Sequence, residues 1–166
     1  SRRQRQMCIR DSDYVNIWEK EENLKGIHIT DPFEAAKNAL AQMKEQTDLT
    51  ICIYHGGFEC DLESGETLSQ TTENVGYRIC KELDFDILLT GHQHMSVPGR
   101  DISGTYTVQP CDNAKEYQYL EVTMTDHEKS IRSELRQSDA AKGTVLADKY
   151  RSCLLYTSPS PRDRQK

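Results

Sequence analysis

An α/β fold with parallel strands covered by helices is predicted for the central part of this 166-residue chain. Between residues 30 and 90, segments with helical periodicity alternate with short apolar runs in the order helix, strand, helix, strand. Alternation of this kind is typical of parallel strands whose connections cross over through helices. After Gly91 the pattern changes to a series of strands.

The first helix is predicted to begin at Thr30-Asp31-Pro32, because Asp or Thr can cap a helix and Pro is favoured in its first turn. Apolar residues then recur at helical spacing up to about Gln46. They are Phe33, Ala36, Leu40 and Met43.

The first strand is predicted over Leu49–Tyr54, a β-branched apolar run. A polar, glycine-containing loop follows over residues 55–70. A second helix is predicted next, with Thr71 or Thr72 as its cap. Its apolar face is formed by Val75, Ile79, Cys80 and Leu83, and a second short strand follows at Phe85–Thr90.

Three further strands are predicted at residues 105–109, 117–124 and 130–135, separated by turn signals at Gly104 and Asp112-Asn113. Residues 138–152 are predicted to form a linker towards a domain that this chain does not contain. Residues 13–137 are therefore treated as a single folded unit.

Both ends of the chain resemble translated sequencing adapter. The segments Met7–Ser12 and Cys153–Ser158 can be back-translated to nucleotide sequences that are nearly reverse complements of each other. We therefore expect residues 1–12 and 153–166 to be read-through and not part of the natural protein. The alternatives are a basic targeting arm at the first end and a Pro/Ser linker at the second.

Composition excludes several classes of protein. No run approaches the about 18 apolar residues that a membrane helix requires. The net charge of −6, with no basic cluster in the centre, argues against binding to a nucleic-acid duplex. Outside the two ends the cysteines show no CxxC spacing and predict no disulfide framework. They are Cys52, Cys60, Cys80 and Cys111.

Histidines follow both predicted parallel strands at the point where each strand ends. His55 comes directly after the first strand and precedes Gly56-Gly57, whereas His92 and His94 follow the second strand in Gly91-His-Gln-His94. Ligands of open α/β sheets bind just outside the carboxyl ends of the strands. Imidazole suits zinc, manganese, iron, cobalt and nickel, so three converging imidazoles predict a metal site, and two neighbouring ions would suit displacement at phosphorus.

A structural interpretation stands beside this one, since a single histidine at a strand end is more often a structural residue than a ligand. It is the joint placement after two strands, each beside glycine, that favours metal binding. The loop after His55 also carries acids, which we interpret as a solvated face or, alternatively, as partners that orient a ligand histidine. These acids are Glu59, Asp61, Glu63 and Glu66.

Three stretches resemble the calcineurin-like metallophosphoesterases. They are Ile53-Tyr-His-Gly-Gly-Phe-Glu59, then Glu73-Asn74, then Phe85-Asp-Ile-Leu-Leu-Thr-Gly-His-Gln-His94. Upstream, the stretch at 18–27 and Asp31-Pro-Phe-Glu-Ala-Ala36 are similar to the 2′,3′-cyclic-nucleotide 2′-phosphodiesterase/3′-nucleotidase and 5′-nucleotidase branch. The resemblance covers nearly all of residues 14–125.

The resemblance implies the C-terminal half of a four-layer α/β/β/α sandwich with two divalent metal ions, which could be manganese, zinc, iron or cobalt. It implies that His55 and His92 bind one ion and that His94 binds the other. In addition to these ligands it assigns a supporting role, beside the metals or the substrate, to a second set of residues. This set is Gly56, Glu73, Asn74 and Gly91.

The implied activity is hydrolysis of 2′,3′-cyclic nucleotides or of 3′- or 5′-nucleotides by a hydroxide that the metals activate. The family's other ligands and its catalytic histidine would precede this segment, so no catalytic residue is assigned here and the segment alone is expected to be almost inactive. The alternatives are another phosphoester, such as a UDP-sugar, and a remnant that binds metal without catalysis.

Location is inferred only from the resemblance, which implies the periplasm or cell wall. Four unpaired cysteines conflict with an oxidising compartment, and an anaerobic or cytoplasmic setting would remove the conflict. The implied partner is a small nucleotide; the sequence predicts no oligomeric state.

Overall fold

A computed structural model describes residues 9–11, 20–125 and 128–138. The predicted linker at 138–152 lies outside these residues except for Ser138, as does the whole C-terminal adapter-like segment. At the other end, Ile9–Asp11 is described as a short strand, β1, which pairs in parallel with the next strand, β2 (Ile51–His55).

Within the described residues, the main sheet has five strands in the order β1-β2-β3-β5-β4. Its remaining strands are β3 (Ile87–Leu89), β4 (Val97–Ile102) and β5 (Thr105–Gln109). The pairs β2–β3 and β3–β5 are parallel, whereas β4 runs antiparallel to β5. The predicted parallel core is therefore confirmed.

The first helix, α1 (Pro32–Met43), confirms the predicted start and apolar face. The Asp31 side chain accepts a hydrogen bond from the Glu34 backbone N–H at 2.8 Å, and Phe33, Ala36 and Leu40 are buried. A short 3₁₀ turn continues the helix to Gln46. The local capping signal was therefore sufficient to locate this helix.

The second helix, α2 (Gly76–Glu82), begins later than the threonine caps predict. The carboxylate of Glu59 accepts hydrogen bonds from the Tyr77 and Arg78 backbone N–H groups at 3.0 and 2.7 Å. The predicted cap at Thr71 or Thr72 is wrong, because a side chain from the preceding loop satisfies the free N–H groups of the helix instead.

The sheet separates a helical layer from a β-hairpin. The hairpin consists of β6 (Glu116–Met124) and β7 (Lys129–Gln137). Side chains of a strand alternate between its faces: Thr105 on one face bonds the backbone of the α2 region, whereas Tyr106 on the other bonds Ser133 of β7 at 2.9 Å. This gives the layers α, β and β of the predicted sandwich.

The main core lies between the helices and the sheet. Ile79 and Leu88 have no exposed surface, and Cys80 is buried beside them. Burial raises the pKa of the Cys80 thiol to about 12, so this cysteine stays protonated and behaves as a small apolar side chain.

No disulfide links the four cysteines in the described ranges, and none of the helices described there is long and apolar enough to cross a membrane.

Asp86, just before β3, is bonded to Thr50, just before β2, and to Lys129 of β7. Its carboxylate accepts hydrogen bonds from the N–H and hydroxyl of Thr50 at 2.7 and 2.9 Å and forms an ion pair with Lys129 at 2.7 Å. Burial raises the pKa of this carboxyl, but the hydrogen bonds from Lys129 and Thr50 outweigh burial and hold it below its ordinary value. A lowered carboxyl pKa stabilises the folded state above its ordinary pKa near 3.8, and this contribution is lost as the pH falls through and below that value.

Asp86→Asn is therefore expected to lower the free energy of unfolding by about 1 to 3 kcal/mol at pH 7. The difference from wild type should shrink as the pH is lowered below 4. Urea unfolding at pH 7 and at pH 3 measures this difference. Asp84→Asn is the matched control, because Asp84 is exposed and only its surface pair with Lys44 is lost. A deficit of the same size at pH 3 and pH 7 would contradict the role assigned to the Asp86 charge.

Candidate functional site

The site lies at the edge where the parallel strands β2 and β3 end. His55 is the last residue of β2, and His92 follows β3 by three residues. The centroids of the two imidazole rings are 5.4 Å apart and the rings meet edge to face at 69°. Strand topology therefore brings together two of the three histidines that the sequence singled out.

His94 is placed differently from the other two. It is exposed and lies near Asp112. The hydrogen bond from Lys115 is the main cause that lowers the pKa of the Asp112 carboxyl, and the electrostatic contribution of His94 is smaller. In the described part of the chain, no three His, Cys, Asp or Glu side chains are grouped so that they could hold a metal ion. The assignment of His94 to a second ion stays a prediction.

Glu73 holds His92 directly. A carboxylate oxygen of Glu73 lies 2.9 Å from Nε2 of His92, and both side chains are about one quarter exposed. Glu73 precedes α2 and reaches the histidine from a different segment of the chain. A carboxylate bonded in this way can orient a histidine ring, and the supporting role that the resemblance gave Glu73 stays a prediction.

The loop after β2 and the loop after β3 are joined by backbone and side-chain hydrogen bonds. The Gly91 N–H donates to the Gly56 carbonyl at 3.1 Å, and the Gly57 N–H donates to the buried Asn74 side chain at 2.6 Å. The Gly76 N–H at the start of α2 donates to the Gly57 carbonyl at 2.9 Å. These contacts give Gly56, Asn74 and Gly91 positioning roles in the loops that carry the histidines.

The tight loops leave little room for side chains. A Cβ atom on Gly56 would lie 2.1 Å from the Tyr54 ring, and one on Gly57 would lie 2.1 Å from the Gln93 side chain. His92 and His94 have φ angles of 70° and 56°, a left-handed conformation that is uncommon for residues other than glycine. Strained backbone of this kind clusters at functional sites.

Gln93 was not singled out from the sequence, yet its side chain connects the two loops. Its amide oxygen accepts from the Phe58 N–H, and its amide nitrogen donates to the Phe58 carbonyl, both at 2.8 Å. Gln109 plays a similar part, because its amide donates to the Met95 carbonyl at 2.9 Å. The position of Gln93 between His92 and His94 was the only sequence signal for its role.

Gln93→Ala is expected to loosen the loop that carries His55, since both backbone groups of the buried Phe58 lose their partner. Two hydrogen bonds of this type contribute about 1 to 3 kcal/mol together. The exchange rate of the Phe58 amide hydrogen should rise about tenfold or more. Gln42→Ala on the exposed face of α1 is the control, and an unchanged Phe58 exchange rate in Gln93→Ala would argue against this contact.

Three of the four acids in the loop after His55 contact groups other than the histidines. Glu59 caps α2, and burial raises the pKa of its carboxyl even though hydrogen bonds from its own backbone N–H and from those of Arg78 and Tyr77 lower it. Asp61 accepts from Ser64 and Glu63 within a local turn, and Glu63 pairs with Arg100. The interpretation as a solvated face agrees with the exposed Glu63 and Glu66, whereas Glu59 is partly buried and caps α2 instead.

The side chains at the site fit a metal ion in their chemistry. Two neighbouring imidazoles offer nitrogen ligands, and the carboxylate hydrogen-bonded to one of them is the usual support of a metal-binding histidine. Two imidazoles alone make an open set, so a complete site needs ligands from elsewhere. The resemblance predicts that these ligands come from a preceding segment.

Comparison with solved structures identifies the fold. A provisionally assigned 5′-nucleotidase from Staphylococcus aureus, solved with α-ketoglutarate, is 28% identical with a TM-score of 0.77, covering 89% of this chain and 30% of that one. The calcineurin-like phosphoesterase YfkN from Bacillus subtilis is 20% identical with a TM-score of 0.63, covering 88% of this chain and 49% of that one.

The chain thus spans about a third of the first of these structures and half of the second. No protein-family model and no curated protein sequence matches it. The two structures agree with the family that the motifs around His55 and His92 resemble. The chain has the fold of the calcineurin-like phosphoesterases and corresponds to a part of their length.

Proposed function

We propose that this chain is part of a metal-dependent phosphoester hydrolase that acts on nucleotides. The substrates would be 2′,3′-cyclic nucleotides or 3′- or 5′-nucleotides. The observation that carries the proposal is the pair His55 and His92, with rings 5.4 Å apart and Glu73 bonded to one of them, at the carboxyl ends of parallel strands. The 28% identical neighbour assigned as a 5′-nucleotidase supports the choice of substrate class.

The described residues would serve the reaction by holding and orienting. Divalent ions at such a site supply positive charge to the phosphoryl oxygens and make water a better nucleophile. His55 and His92 would hold such an ion, and His94 would serve a second one. The bonds of Gly91, Gln93 and Asn74 fix the loops that carry these histidines, so the ligands are positioned before substrate arrives.

The proposal is tested with a longer protein that contains this segment together with its natural upstream sequence. Purified with manganese or zinc, it should hydrolyse 2′,3′-cyclic AMP, 3′-AMP or 5′-AMP, and chelation of the metal should abolish the activity. UDP-glucose and a phosphopeptide are the comparison substrates. Faster hydrolysis of either comparison substrate would reject nucleotides, and metal binding without any hydrolysis would indicate a non-catalytic remnant.

A further inference from the structure

We propose that Gln109 and Gln118 are positioning residues that hold His94 in its left-handed backbone conformation. They act through the backbone of residues 95–97, which directly follow His94. The importance of this conformation for hydrolysis rests on the proposed function, because it assumes that His94 serves a metal ion. The conformation itself does not depend on that assumption.

The two glutamines approach residues 95–97 from different strands. The side-chain amide of Gln109, at the end of β5, donates to the Met95 carbonyl at 2.9 Å. The side-chain amide of Gln118, in β6, donates to the Val97 carbonyl at 3.0 Å. A backbone carbonyl can only accept hydrogen bonds, so the nitrogen of each amide must face the backbone. The main sheet and the hairpin therefore both hold the segment that leads from His94 into β4.

The residue between these two contacts is also engaged. A hydrogen bond from the Ser96 side chain to the carboxylate of Glu116, in β6, is the largest cause that lowers the pKa of that carboxyl. The same carboxylate accepts from the Cys111 backbone N–H at 2.8 Å. Side chains of β5 and β6 thus contact each of the three residues that follow His94.

The orientation of the two amides has an energetic cost. The side-chain oxygens of Gln109 and Gln118 are buried and have no hydrogen-bond partner among the described residues. Gln109 has no exposed surface at all. A buried polar atom without a partner destabilises the folded state, whereas an apolar side chain of similar size would avoid this cost. The carbonyls that the amides hold therefore explain the two glutamines better than the filling of space does.

His94 lies between two fixed points of the chain. Its φ angle of 56° is in the left-handed region, which costs free energy for a residue with a side chain. On its N-terminal side, the amide of Gln93 bonds both backbone groups of Phe58. On its C-terminal side, Met95 is held by Gln109. A costly conformation persists only where the surrounding structure determines it, and these contacts on both sides provide that constraint.

The consequence for the candidate site is the direction of the His94 imidazole. His94 is exposed and follows β3 by five residues. If residues 95–97 were released, the His94 backbone would be free to return to the right-handed region that residues with side chains prefer. A change of that size in φ turns the side chain to another direction. The glutamines therefore determine where the imidazole points without touching a metal ion or the substrate.

The first test compares His94→Gly with His94→Ala in the full chain by urea unfolding at neutral pH. Glycine adopts the left-handed conformation readily, although it loses more conformational freedom on folding. The folding equilibrium constant of His94→Gly should therefore be about 2- to 10-fold higher than that of His94→Ala. When Gln109→Met and Gln118→Met are also present, this advantage should disappear or reverse, because only the entropic cost of glycine remains.

The matched control combines Gln42→Met and Gln70→Met, which replace two exposed glutamines and should leave the advantage of His94→Gly unchanged. Gln118→Met alone should reduce the advantage in part. This single variant replaces the double variant if the loss of both amides prevents folding.

The second test uses the longer protein, with Mn²⁺ as the probe. Gln118→Met should raise the Mn²⁺ concentration that gives half-maximal hydrolysis by about tenfold, whereas kcat at saturating Mn²⁺ should fall by less than about twofold. General destabilisation would produce the opposite pattern, since unfolded protein lowers kcat and saturating metal does not restore it.

The proposal is overturned if His94→Gly has no advantage over His94→Ala in the otherwise unchanged chain, since the conformation would then cost nothing. It is also overturned if the advantage survives the loss of both amides. An unchanged Mn²⁺ dependence in Gln118→Met rejects the positioning role as well. If the longer wild-type protein hydrolyses no phosphoester but the unfolding results are as expected, the proposed function is rejected and the hold of the glutamines on His94 stands.

Discussion

His92→Ala is expected to reduce nucleotide hydrolysis by the longer protein more than about 100-fold. Loss of a residue that only supports a ligand costs about 10- to 100-fold in metal affinity or activity, and loss of the ligand itself costs more. The variant also leaves Glu73 without the imidazole that it bonds. Measurement of kcat/KM at saturating manganese, together with metal content, separates loss of metal from loss of turnover.

His28→Ala is the control for this experiment, because it removes an exposed imidazole that precedes α1. His55→Ala should match His92→Ala, since the two rings are adjacent and are predicted to bind the same ion. Undiminished hydrolysis by His92→Ala would reject the metal assignment altogether. A loss in His92→Ala but not in His55→Ala would reject the shared ion and leave His92 with a separate role.

The elements that the sequence predicted well are those determined by local signals. The start of α1 depends on Asp31, Pro32 and the spacing of apolar residues within one helix, all of which are visible in a short window. The predicted strand at 105–109 matches β5, and the paired strands β6 and β7 differ from their predicted bounds by one or two residues. For each of these strands, the residue pattern within the strand and the turn signal beside it predict the same element.

Strand β4 was missed for a physical reason. Its sequence contains Pro98 and Gly99, which argue against a central strand because proline cannot donate to the ladder. Among the strands that the structure describes, β4 lies at the edge of the sheet and pairs with β5 alone, and its register shifts between Val97 and Arg100. An edge position depends on the whole topology, so no local signal indicated it.

The candidate site also has some features that the sequence predicts and others that it does not. That His55 and His92 meet follows from parallel strands, whose carboxyl ends lie at one edge of a sheet. The contacts of Gln93 with Phe58 and of Glu59 with α2 join residues 18 to 35 positions apart through the path of the connecting loop. The hydrophobic periodicity of the sequence does not predict the path of a loop, so these hydrogen-bond partners could only be found in the structure.

Gly76→Ala is expected to destabilise the protein although alanine is the better helix former. A Cβ atom at this first residue of α2 would lie 2.6 Å from the backbone oxygen of Gly57 and 3.2 Å from the Phe58 ring. Helix propensity favours alanine by about 1 kcal/mol at most, whereas forcing a methyl group into packed structure costs about 1 to 3 kcal/mol. Backbone cannot rotate away as a side chain can, so the steric cost should outweigh the gain in helix propensity.

Because Gly57 belongs to the loop after His55, the clash should move that histidine as well as lower stability. The free energy of unfolding in urea and the ¹⁵N resonances of the His55 ring measure the two effects in one sample. Gly91→Ala is the matched control for stability, since its nearest neighbour, Nδ1 of His55, would be 4.0 Å away. If Gly76→Ala is as stable as Gly91→Ala, the packing of α2 against the His55 loop is not what fixes the loop, and its hydrogen bonds alone must do so.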